Sequence, residues 1–248
     1  FALVSAGKMR LKAAVESTVE SIVDNAGQDP VLRHAAVMAL SQTVDANELA
    51  GMKASESLYV RLSAVVALRR QQSNLVSDFL DDESELVVAE AARAIHDSPI
   101  DTAMKKLALR IAKPMANESI IRRVLDANFR TGNATAIAGY VSDAKNPEKM
   151  RVEGLAMLGV WAKPSGRDRV TGMWRPIEER SDEPAKKAVA NLLKRFGESG
   201  SSDVAVLLEL GKVASRYGLG ESAAILRSLV TNESLEVTDR AAALQAMG

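Results

Sequence analysis

The chain of 248 residues contains no cysteine. That single absence removes disulfides, thiolate nucleophiles, zinc–thiolate sites and covalently attached haem. Aromatic residues make up only 4% of a sequence that is 47% hydrophobic, so the core must come from Ala, Val, Leu, Ile and Met. Such small side chains suit close helix–helix packing, and Ala and Leu favour helix intrinsically. Proline (7) and glycine (15) are few, and most lie between the apolar stretches. Neither sign of charge dominates, since Lys plus Arg and Asp plus Glu both number 32. A polyphosphate partner calls for a basic excess or a basic face, so nucleic acid is not an expected ligand. No apolar run approaches the roughly 18 residues of a membrane span, so no membrane insertion is expected. The chain starts at Phe1 without an initiator methionine or signal peptide and stops in mid-pattern at Gly248. It reads as a fragment of a longer protein, monomeric by expectation.

What is present is a repeat. Six segments share one frame: 32–40, 60–68, 87–95, 121–129, 150–158 and 239–247. The first five starts are separated by 28, 27, 34 and 29 residues, and the last step of 89 spans roughly three such units. The second position is arginine (Arg33, Arg61, Arg122, Arg151, Arg240) in all but one segment, where it is Val88. Val60, Ala64, Ala67 and Leu68 fall at i, i+4, i+7 and i+8, one stripe of an amphipathic helix. Small residues recur in mid-stripe (Ala36, Ala64, Ala91, Gly154, Ala242), where a neighbouring helix must come close. Ahead of each frame stands capping chemistry: Asp29-Pro30, Ser55-Glu56, Asp82-Glu83, Asn117-Glu118, Asn146-Pro147 and Asn232-Glu233. A shorter amphipathic stretch precedes several caps, as over 74–80, 102–112, 133–141 and 222–230.

Helix, tight acidic turn, then a helix with arginine near its start, every 30 or so residues, resembles the short form of the HEAT repeat. The resemblance implies an all-α chain over 1–248: a right-handed α-solenoid of about seven antiparallel helix pairs, with the Arg-bearing helices on the concave face. One pair cannot bury its own apolar stripe, so each unit must stack on the next. Arg33, Arg61, Arg122 and Arg151 are then either rungs bonded to neighbouring turns or a row of ligand-binding groups along the groove.

The pattern breaks over 161–183. This stretch holds both tryptophans, Trp161 and Trp174, two prolines, two glycines and dense charge. Long loops are uncommon without a reason. It reads as an ordered loop whose tryptophans cover the repeats, or as a docking surface through Trp161, Trp174 and Arg175, since Trp and Arg dominate interface hot spots. His34 and His96 have no second histidine at ligand spacing, and no metal or cofactor is expected. No GxSxG, Walker loop, HExxH or strand-borne GxGxxG occurs. The chain is therefore not expected to be an enzyme.

Some strings are more specific. Residues 90–100, 122–132, 161–164 and 172–176 in order resemble the HEAT-repeat region of PVC-type haem-binding proteins, also described as membrane-bound dehydrogenases. That resemblance implies a place between a propeller-type dehydrogenase domain and a CxxCH cytochrome, in an exported or periplasmic protein. Neither module lies in this chain. The partners it implies are neighbouring domains of the same chain or another protein.

Overall fold

The computed structural model describes residues 2–199, 203–220 and 222–247; the chain ends at Phe1 and Gly248 lie outside them. The chain is all-α, and among the described residues the only bridge pairing joins Arg167 to Trp174. It divides into two compact units, Phe1–Ala112 and Lys113–Gly248.

The first unit contains α1 (Ala2–Lys8), α2 (Val15–Asn25), α3 (Pro30–Thr43), α4 (Ala46–Gly51), α5 (Leu58–Arg70), α6 (Glu85–Asp97) and α7 (Asp101–Leu109). α3 packs on α1, α2 and α5, and α5 packs on α4 and α6. The stripe that defines the repeat points inward: Val60, Ala64, Ala67 and Leu68 are buried, as are Ala91 and Ile95 of α6. Small residues set the spacing. A Cβ on Gly7 of α1 would stand 2.8 Å from the Ala39 Cα of α3, so only glycine permits that approach.

The second unit contains α8 (Glu118–Arg130), α9 (Ala134–Ser142), α10 (Glu148–Gly159), α11 (Glu183–Ser199), α12 (Val204–Arg216), α13 (Ser222–Thr231) and α14 (Val237–Gln245). α10 packs on α8, α9 and α12, α11 on α9 and α12, and α13 on α12 and α14. Gly154 again marks a crossing, because a Cβ there would meet Val141 of α9 at 2.9 Å.

All six frames fall on helices, with differences at the edges. Asp29 and Asn117 cap as expected, their side chains accepting from backbone N–H groups of the first turn. Elsewhere the cap shifts. Ser57 and Ser84 are the N-caps of α5 and α6, while Ser55 and Asp82 accept from their backbone N–H groups two residues upstream. The stretch 74–80 forms a 3₁₀ helix (Asn74–Phe79) rather than an α-helix. The Ser77 hydroxyl bonds to the Asn74 carbonyl, a local alternative that suits the tighter winding of a short segment. The last frame overruns its helix, since α14 ends at Gln245.

Candidate functional site

A cleft of about 550 Å³ opens in the first unit along the Arg-bearing helices α3, α5 and α6. Its apolar floor includes Val37 and Val66, and its polar wall carries Arg33, His34, Glu90 and Arg93. Glu90 accepts from Arg69 at 3.0 Å and from Arg93 at 2.9 Å, so one carboxylate is shared by two guanidinium groups. Arg33 and His34 are exposed, and neither side chain has a polar partner among the described residues. Ser63, only 2% exposed, also lines the cleft, with no hydrogen bond from its hydroxyl among those residues.

The recurrent arginines take different roles. Arg61 is buried and donates to the Ser55 and Glu56 carbonyls before its own helix and to Asp82 and Glu83 in the next turn. Arg151, 1% exposed, donates to the Val141 carbonyl and to Asp203, the N-cap residue of α12. Arg240 donates to the Val230 carbonyl. Arg151 and Arg240 thereby tie carbonyls in the last turns of α9 and α13 that would otherwise lack a partner. Arg122 instead lies part-exposed against Glu118 on its own helix, and Lys149 shares that carboxylate. Those two cations hold the Glu118 carboxyl below its usual range. Arg33 joins none of these bonds.

In the second unit the loop is ordered around two guanidinium groups that the repeat pattern did not single out. Arg180 lies on the Trp161 ring, 3.7 Å from its centroid, and 4.8 Å from that of Phe129. It donates to the Trp161 carbonyl (3.0 Å) and the Phe129 carbonyl (2.7 Å), joining the ends of α10 and α8. Burial lowers its pKa from the usual arginine value. Trp161 is 1% exposed and meets Phe129 edge-on at 5.5 Å. Arg130 bonds Asp126 at 2.6 Å and Asp168 at 2.7 Å, both carboxylates being buried. Asp168 in turn accepts from the Val170 and Thr171 backbone N–H groups and so shapes the tip of the loop. Arg175 supplies its carbonyl to Arg130. Trp174 is 75% exposed; its ring lies over Gly166, where a Cβ would come within 2.4 Å of it. The loop thus buries one tryptophan and presents the other.

The signal that could have found Arg130 and Asp168 is modest. An aspartate followed by Thr171-Gly172 is a side-chain-to-backbone turn signature, and Arg130 stands one turn after Asp126. Three buried polar atoms in this unit lack hydrogen-bond partners among the described residues: the Tyr140 hydroxyl, one Arg151 nitrogen and one Arg180 nitrogen. Burial pushes the Tyr140 phenol up to about 12. No helix among the described residues is long and apolar enough to cross a membrane. Comparison with known proteins finds no family model, curated protein or solved structure that matches the chain.

Proposed function

We propose that this chain is a non-catalytic scaffold of HEAT-type helix pairs, stacked as a right-handed solenoid, that holds two functional modules of a redox protein apart. The observation that carries this reading is where the guanidinium groups go. Arg61, Arg151 and Arg180 are spent on carbonyls and carboxylates of neighbouring turns, which stiffens the join between successive helices. A spacer needs stiffness, and it needs no reactive group. The resemblance of 90–100, 122–132, 161–164 and 172–176 supplies the identity of the modules: a propeller-type dehydrogenase on one side and a CxxCH cytochrome on the other.

The test uses a chain that carries both modules. Replacing residues 1–248 by a flexible Gly/Ser linker of equal length should slow electron delivery from substrate to haem, since a random coil fixes neither distance nor orientation. Delivery at the unaltered rate would refute the spacer. A second reading is a binding module whose groove takes a protein or peptide. The cleft between α3, α5 and α6 favours it, because Arg33 and His34 stand there without polar partners among the described residues.

A further inference from the structure

We infer that the cleft on α3, α5 and α6 binds an acidic peptide segment, one that alternates carboxylates with aliphatic side chains. The inference rests on the binding-module reading above and supplies its ligand chemistry.

Charge decides the sign of the ligand. The wall carries the guanidinium groups of Arg33 and Arg93 against a single carboxylate, Glu90. That carboxylate is already neutralised twice, by Arg69 and Arg93. Arg33 has no counter-charge among the described residues, and half of the Arg93 side chain is exposed. An unpaired guanidinium beside a shared carboxylate leaves room for a second carboxylate, which it can take in a bidentate fork. A basic ligand would meet only repulsion and a carboxylate whose bonds are already made.

Shape decides the class. The cleft runs across three helices, and its floor includes Val37 and Val66 below the polar wall. Apolar ground beneath charged walls fits a chain whose side chains alternate, one down and one out, as in an extended peptide. At about 550 Å³ the opening suits a few residues of such a segment. Ser63, 2% exposed and with no hydrogen bond from its hydroxyl among the described residues, stands at the cleft as a donor or acceptor for a peptide group. A small dicarboxylate would use the arginines and leave the floor bare.

The probe is a fluorescently labelled eight-residue peptide alternating leucine and glutamate, titrated with the chain and followed by anisotropy. Saturable binding is expected, weakening as salt rises. Arg33→Ala should weaken it about tenfold or more, the worth of one charge-assisted bond. This side chain makes no polar contact among the described residues, so the fold should survive, with the thermal melt as the check. Glu90→Gln keeps the hydrogen-bonding shape but removes the competing charge, and should tighten binding several-fold. Equal affinity for a leucine–lysine or leucine–glutamine peptide would overturn the acidic assignment while leaving the groove a peptide site. Displacement of the labelled peptide by millimolar glutarate as readily as by unlabelled peptide would overturn the peptide assignment. Absence of binding by all three peptides would sink both this inference and the binding-module reading, and would leave the spacer reading standing.

Discussion

Removing the Trp161 ring tests the order of the 161–183 loop most directly. The ring is 1% exposed, meets Phe129 at 5.5 Å and carries Arg180 at 3.7 Å. Burial of most of an indole contributes on the order of 2–3 kcal/mol, and a desolvated cation over its face adds up to about 2. These contributions overlap, because the same contacts appear in both. A truncation also leaves a cavity that the rigid ends of α8 and α10 cannot close. Trp161→Ala should therefore cost about 3–5 kcal/mol, the usual range for large-to-small core changes. At roughly 2–4 °C per kcal/mol for chains of this size, the melting temperature should fall by about 6–20 °C. Trp174→Ala is the internal control. Its ring is 75% exposed, and the change should stay within about 0.5 kcal/mol. Acrylamide quenching separates the two rings: Trp161 should be shielded in the Trp174→Ala protein, and Trp174 freely quenched in the Trp161→Ala protein. A loss below about 1 kcal/mol for Trp161→Ala, or free quenching of Trp161, would refute the buried stack.

The Tyr140 hydroxyl is buried without a hydrogen bond among the described residues, so Tyr140→Phe should stabilise the protein by about 1–3 kcal/mol in denaturant melts, and a loss would count against the orphaned hydroxyl. Burial raises this phenol from 10 to about 12 and so favours its neutral form; that contribution is intact below pH 10 and lost as pH rises through 12, and Tyr140→Phe should flatten the alkaline decline. Arg61→Ala strands the buried Asp82 and should cost about 3–5 kcal/mol, with Asp82→Asn recovering part of it; simple additivity of the two would rule out the coupling. Arg122→Ala, at the same place in its repeat but part-exposed, should cost less than about 1 kcal/mol by the same melts.

The helical architecture was legible because it rests on periodicity. The stripe from Val60 to Leu68 and its counterparts are buried where the i, i+4, i+7 spacing puts them. Helix starts were less legible, since several residues in one turn compete for the same orphan N–H groups. Asp82 looks like a cap for α6, yet it accepts from the backbone N–H of Ser84, the actual N-cap, and receives Arg61. The loop was legible only as an interruption. Which tryptophan it buries depends on Arg180 and Arg130, whose partners lie as far as 51 and 45 residues away, and no local pattern carries that pairing.

Arginine at the second frame position was the strongest motif in the sequence, and its role still differs from one repeat to the next. What differs is the acceptor that each guanidinium meets. After Arg61 comes Asp81-Asp82-Glu83, and two of its carboxylates take the guanidinium into the interior. Arg151 reaches Asp203 in the same way. After Arg33 comes Ser55-Glu56-Ser57, where no aspartate stands and both Ser55 and Glu56 carbonyls are already used by Arg61. After Arg122 comes the turn 143–147, where the Asp143 carboxylate accepts from the Lys145 backbone N–H and Asn146 donates its amide to the Tyr140 carbonyl, and Arg122 pairs with Glu118 on its own helix. A guanidinium is too costly to bury without a carboxylate or carbonyl to receive it. A carboxylate in the following turn can receive an arginine, as Asp82 receives Arg61 and Asp203 receives Arg151, but its presence alone does not make a rung. Arg33 stays in solvent beside a cleft, and there its guanidinium makes no bond among the described residues.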